Sequence, residues 1–338
     1  MNYQKIIILL LLATGFFSCQ GPTKPAPKVQ FNGTAQGTYY AITYYDIRAR
    51  NFQNEIDSIL QAFDQSVSVY QPNSIVSRIN RNETDVVLDE WFIGNFRLSQ
   101  EIAAATDGSF DMTIGPIANI WGFGTFEKPD SINPALIDSV KQYVDYRMVR
   151  IEGDRVVKDN PHIELNFNAV AQGYAVDVLV QYLVGEGIDH LLIDLGGEIY
   201  AKGQKPNGDF WKIGIEVPED HSENRFYNKI VALNDEAVAT SGNYRKFYEI
   251  DGIKYAHSLD PKSGYPVQHS LLSTTVIAES SAMADAYATA FMVMGVEKTL
   301  EFVKSHHDIK VYLMYDEEGQ VKTAMSENFK SYLEGTTD

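Results

Sequence analysis

A single cysteine, Cys19, in 338 residues leaves no disulfide framework and no thiolate metal cluster to build a fold around. Basic residues are scarce as well: 28 Lys and Arg stand against 45 Asp and Glu, a formal net charge of −17, which argues against nucleic acid as a partner. After the apolar run Ile6–Leu12 there is no second stretch long enough to span a membrane, and no internal repeat. The chain carries no Walker A loop, no G-x-G-x-x-G fingerprint and no G-x-S-x-G elbow, which removes the P-loop, dinucleotide-fold and serine-hydrolase classes. Its adjacent histidines, His306 and His307, do not form a ligand cluster.

What is present begins with a leader. Lys5 precedes the apolar run, and small and aromatic residues lead to Cys19, so residues 1–18 are expected to be a secretion signal. Cys19 resembles a bacterial lipoprotein acylation site, although Phe16, Phe17 and Ser18 depart from the usual pattern. An ordinary signal peptide with an incidental cysteine is the plainer alternative. Residues 19–30, with Pro22, Pro25 and Pro27, are expected to form a tether, and the folded unit is expected over 31–334. On this reading the protein faces the periplasm from the inner or outer membrane, held through its lipid.

Hydrophobic residues at 44% are ample for a core, and the length suits one elaborate domain or two lobes folded together. Thr34 to Asp46 has the residues of a strand, and Phe52, Ile56, Ile59, Leu60, Phe63 and Val67 recur at helical spacing. Further helices are expected at Trp91–Ala105, from Pro134 behind the possible caps Ser131 and Asn133, and at Ala169–Val184. Ser280 or Ser281 can cap another that Gly295 closes, with a last helix from Val296 to Lys304. Strands are expected in HLLIDL, GEIYAKG, WKIGIEV, NKIVALN, AVATS, YRKFYEI, LLSTTVIA, KVYLMYD and VKTAMS. Because these do not alternate strictly with helices, the expected class is α+β with mixed sheets and packed helices.

Chemistry concentrates between Ala237 and Ala290. Asp285 and Thr289 stand four apart on an expected helix, so their oxygens share a face and could approach one hard cation such as Mg2+. The same spacing equally suits a Thr bonded back into its helix and an Asp neutralising the helix dipole. His257 lies between IKYA and the turn DPKSGYP, where a loop can present an imidazole as proton acceptor; a single local hydrogen bond is the plainer role. In ATSGNYR, Gly242 could turn backbone amides toward an anion and Arg245 could offset its charge, or the segment is a simple turn. TDGSFDMTIGPIANIWGFG sets Phe110, Trp121 and Phe123 beside glycines, which suits a planar ligand but also a core.

In order along the chain, QGTYY, SVYQPNSIVSRIN, TDGSFDMTIGPIANIWGFG, NFNAVAQGYAVD, LIDLGGEIYAKG, ATSGNYRKFY, HSLDPKSGYPV and ADAYATAFMVMG resemble the FAD:protein FMN transferase family (ApbE type) over nearly all the mature chain. The resemblance implies a two-lobed single catalytic unit. It also implies a Mg2+-dependent enzyme that cleaves FAD, attaches FMN to a Ser or Thr of a separate acceptor flavoprotein of a membrane or periplasmic redox system, and releases AMP. It carries FAD contacts onto Tyr70, Ser109, Phe110, Asp111 and Leu259, and metal ligation onto Asp285, Thr289 and the carbonyl of Ala169. Three further FAD-site positions depart from the family: Gln36 stands for a usual Met, Asn166 for a frequent Asp and Gln172 for a frequent Lys or Glu. Ala288 takes a place that is acidic in some members. His257 is the residue expected to activate the acceptor hydroxyl. Two rivals use the same inventory: an FAD pyrophosphatase with water as nucleophile, and a non-catalytic flavin carrier.

Overall fold

The computed structural model describes residues 25–125, 129, 131–216, 227–243, 247–250, 253–256 and 258–333. Its first element corrects the expected single strand from Thr34 to Asp46. β1 (Lys28–Ala35) and β2 (Thr38–Tyr45) form an antiparallel hairpin whose turn holds Gln36 and Gly37 at φ of 52° and 73°. So short a turn leaves the strand composition unbroken, so the pattern hides the reversal. The first strand also starts at Lys28, inside the expected tether, rather than near Phe31.

Helices α1 (Gln53–Val67), α2 (Ile75–Asn80), α3 (Glu90–Ala105), α4 (Gly115–Ile120) and α5 (Pro134–Lys141) follow, then the hairpin β3 (Val149–Glu152) and β4 (Arg155–Lys158) and helix α6 (Ala171–Gly185). Strands β5 (Leu191–Leu195), β6 (Glu198–Lys202), β7 (Trp211–Glu216), β8 (Tyr227–Leu233), β9 (Glu236–Gly242), β10 (Phe247–Ile250), β11 (Ile253–Ala256), β12 (Leu259–Asp260), β13 (Tyr265–Pro266) and β14 (Leu271–Ala278) come next. Helix α7 (Ser281–Val303) and strands β15 (Lys310–Glu317) and β16 (Gln320–Met325) complete the order. The helix ends obey local chemistry: Asp89 accepts from Phe92 N–H, Asn133 from Ala135 N–H and Ser280 from Met283 N–H. Gly295, at φ 78° and ψ 178°, breaks α7 where two helices were expected to meet.

Eight strands form one sheet in the order β1-β2-β5-β6-β9-β14-β15-β16, with every ladder antiparallel. The class is therefore α+β, as the lack of strict alternation indicates. The central strands are buried on both faces, and neighbouring residues point to different cores. Val276, Val311 and Leu313 join the helices, whereas Ile277, Tyr312 and Met314 pack with Trp211 of β7 and Val231 of β8 on the opposite face. A third cluster joins Ile117 and Trp121 to Ile137 and Leu259, with the Trp121 indole donating to the Gly264 carbonyl at 2.8 Å.

Helix backbones come into contact where α6 meets α7. A Cβ on Gly173 would fall 2.3 Å from the Ser281 carbonyl oxygen and 2.9 Å from the Ala282 Cα, so backbone meets backbone here and no other residue fits without displacement. Gly173→Ala is expected to cost roughly 1–3 kcal/mol by overpacking. Gly185→Ala, with nothing within 4 Å of the added carbon, is the neutral control. Urea denaturation midpoints measure both, and equal midpoints would contradict this packing.

Candidate active site

Helices, loops and inner strands of the sheet surround a cleft of about 720 Å³. One wall comes from the loop after α3. Asp111 there is buried, accepting from the Thr113 N–H (2.8 Å) and hydroxyl (2.6 Å) and from the Tyr146 N–H (2.8 Å). Burial raises its carboxyl above the usual range while these hydrogen bonds pull it back. With its oxygens occupied this way, Asp111 fixes the loop that brings Ser109 and Phe110 to the cleft. Phe110 is only 3% exposed, so it offers the cleft an edge of a ring otherwise set in the core.

The segment before α6 locks onto this wall. Asn166 donates its N–H to the Met112 carbonyl at 2.7 Å and accepts from the Asn168 N–H at 2.8 Å, and the Asn168 amide donates to the Tyr70 hydroxyl at 3.0 Å. Tyr70 is 57% exposed, so an aromatic ring anchored by its tip stands at the rim. Below it, Gln172 donates to the Leu195 carbonyl at 2.6 Å. That contact ties α6 to the β5–β6 turn, whose Gly196 and Gly197 hold φ of 63° and 108°, and both glycines line the cleft. Asp194 accepts from the Gly197 N–H at 3.0 Å and the Tyr39 hydroxyl at 3.1 Å.

The opposite wall is α7. Asp285 and Thr289 share the face that lines the cleft, which Ala169 also lines. The Asp285 carboxylate does not serve its own helix; its Oδ2 accepts from the Gly173 N–H of α6 at 3.1 Å. Burial first, and then the negative charge of Asp177, push its carboxyl up, against the pull of that hydrogen bond. Thr289 lies 3.5 Å, hydroxyl to hydroxyl, from Ser241 of β9. Among the described residues no group of three His, Cys, Asp or Glu gathers around a point. The donors present are a carboxylate, a hydroxyl and a carbonyl, a hard-oxygen set that fits Mg2+ and not a soft metal.

Tyr70, Ser109, Phe110, Asp111, Asn166, Ala169, Gln172, Leu259, Asp285 and Thr289 thus all line one cleft. Gln36 does not: it sits in the β1–β2 turn with its amide on the Asp64 carboxylate at 3.2 Å, while the nearby Tyr39 of β2 does line the cleft. His257, Arg245 and Cys19 lie outside the described residues, although Ser258 and Leu259, next to His257, are in the lining. Residues assigned no role from the sequence also line it: Tyr39, Asn168, Asp194 and Glu198 inside the quoted motifs, and Lys212 and Glu216 outside them. Lys212 and Glu216 belong to WKIGIEV, where a charged residue in a strand reads as a solvated face. Nothing local shows that β7 overlies a cleft.

The profile of the ApbE family matches residues 36–313. A FAD:protein FMN transferase of Vibrio cholerae is 32% identical over 332 residues, covering 96% of each chain, and one of Escherichia coli K12 is 32% identical over 345 residues, covering 97% of each. The solved flavin transferase ApbE from Vibrio cholerae superposes with a TM-score of 0.83 at 31% identity, over 91% of this chain and 100% of that one. The apbe protein of Thermotoga maritima gives 0.81 at 26% identity, over 91% of this chain and 100% of that one. With the profile spanning the cleft from the β1–β2 turn to β15, and full-length relatives at this identity, the chain belongs to the ApbE family.

Proposed function

We propose that the chain is a FAD:protein FMN transferase: it takes FAD as substrate and moves its FMN moiety onto a hydroxyl of an acceptor flavoprotein. Its family and the names of its full-length relatives support the reading. The observation that carries it is that the aromatic residues Tyr70 and Phe110 and the oxygen donors Asp285, Thr289 and Ala169 line one cleft.

In that cleft, Tyr70 and Phe110 offer ring surface to a flavin, and Lys212, the one basic residue among the described lining, offsets phosphate charge within an acidic surround. Asp285, Thr289 and the Ala169 carbonyl would hold Mg2+, which when bound supplies charge neutralisation and in-line orientation of the pyrophosphate. The acceptor Ser or Thr oxygen attacks the FMN-side phosphorus, the P–O bond to AMP breaks, and the product is a phosphoester. His257 takes the hydroxyl proton, a role worth on the order of 10²- to 10⁴-fold. The Ser258 and Leu259 positions in the lining support this assignment.

The leader and Cys19 support an envelope location: residues 1–18 as signal peptide, Cys19 lipidated, and the enzyme held at a periplasm-facing membrane near acceptor subunits of a redox system. Among the described residues no helix is long and apolar enough to cross a membrane.

Incubation with FAD, Mg2+ and an acceptor domain is expected to leave FMN fluorescence on the denatured acceptor. Free FMN with unlabelled acceptor would identify the pyrophosphatase instead, and bound FAD without turnover the carrier. Asp285→Ala is expected to reduce labelling by about 10²-fold or more through lost transition-state charge stabilisation.

A second expectation concerns pH. Asp285, raised to about 7 when folded against 3.8 unfolded, favours the folded state most in its protonated form. That contribution is complete below about pH 4 and is lost as pH rises through about 7. With chelator present, the Tm of Asp285→Asn should therefore gain on that of the unsubstituted protein across this window. A difference that stays flat with pH would contradict the burial of this carboxylate.

A further inference from the structure

The motif NFNAVAQGYAVD ends in Asp177, to which the cleft assigns nothing. Asp177 lies one helical turn beyond Gly173 on α6, as Asp285 lies one turn beyond Ser281 on α7. The two pairs exchange bonds. Asp285 of α7 accepts from the Gly173 N–H in the first turn of α6, and Asp177 of α6 accepts from the Ser281 N–H at 2.8 Å and the Ala282 N–H at 2.9 Å in the first turn of α7. Each helix caps the other's N-terminus with a carboxylate, across the backbone contact at Gly173.

We propose that Asp177 is a positioning residue for the metal site, setting the axial register of α7 against α6 so that Asp285 and Thr289 reach the cleft that Ala169 also lines. The inference rests on the Mg2+ reading of those donors. Three features of the crossing support it. Asp177 is bidentate, one oxygen for each of two adjacent N–H groups, so it fixes both the position and the rotation of the first turn of α7. Asp285 follows in the next turn, too near for α7 to absorb a shift before reaching it. The site also lies beside two helix N-termini, each with about half a positive charge that repels a cation. Asp177 offsets the charge at the end of α7 as Asp285 does at the end of α6, so the Asp285 carboxylate is shared between that helix end and the metal.

Asn at position 177 keeps the shape but can accept from only one of the two N–H groups, turning an amide N–H toward the other. Ser281→Pro removes one donor and spares the carboxylate. Ser281 is the first residue after the cap Ser280, whose φ −131° and ψ 153° are extended, a place where proline is compatible with a helix. Asp89→Ala, which removes the cap of α3 away from the cleft, controls for lost stability.

The experiment titrates Mn2+ into the full chain, followed by its electron paramagnetic resonance signal with Mg2+ as competitor, beside thermal denaturation of each variant. Asp177→Asn and Ser281→Pro are expected to weaken Mn2+ binding by about 10- to 100-fold, the usual effect of losing a partner that orients a metal ligand. Asp89→Ala is expected to lower Tm and leave Mn2+ affinity unchanged. If both α6–α7 variants bind Mn2+ as tightly as the unsubstituted protein while Asp285→Ala does not, the positioning role is overturned and the metal site stands. If the unsubstituted protein binds neither ion, the Mg2+ reading fails and this inference with it.

Discussion

The structure depends on one close approach, the crossing of α6 and α7 at Gly173. A side chain there would enter the Ser281 backbone, so the two helix N-termini meet at a distance only glycine permits. That proximity has an electrostatic cost. Two positive helix ends face one another in a largely buried place, and two carboxylates, Asp177 and Asp285, answer them across the gap. Burial pushes both carboxyls up, to about 6 for Asp177 and further for Asp285. Both carboxyls are therefore protonated more readily than exposed ones, beside the cleft that Asp285 lines.

Around this crossing the remaining parts act as supports. Gln172, at the start of α6, ties the helix to the β5–β6 turn, and Asn166 with Asn168 ties the preceding segment to the Asp111 loop and to Tyr70. The large sheet carries β9 and β14 under α7, which sets Ser241 beside Thr289. Its opposite face packs against β7 and β8, so β7 borders the cleft and brings Lys212 to it. An acidic protein needs local cations, oriented dipoles or a metal to hold a phosphorylated ligand, and the fold brings Lys212 to the cleft from an element distant in sequence.

Much of this was legible before folding. The caps Asn133 and Ser280, the break at Gly295 and the α+β class follow from local rules, because a cap bonds within its own turn and a positive-φ glycine needs no partner. The β1–β2 reversal was not legible, since Gln36 takes a positive φ that its residue type does not advertise. Asp111 lines the cleft, and its oxygens also take three bonds from Thr113 and Tyr146, the latter far along the chain and out of reach of local rules. Lys212 and Glu216 gave no signal because a strand's alternation separates two faces without saying what covers either.

The sequence by itself determined most of the longer helices and strands, several of their caps, the order of the motifs and the kinds of donor available. It placed Asp285 and Thr289 on one helical face, since 3.6 residues per turn requires that, and left open whether the face met solvent, its own helix or a ligand. The tertiary structure decided that question by bringing Gly173 against Ser281, so that Asp285 bonds to α6 rather than to α7. It decided the partner of Asp177 in the same way. Spacing along one helix states which side chains point together; only the packing of a second helix states what they meet.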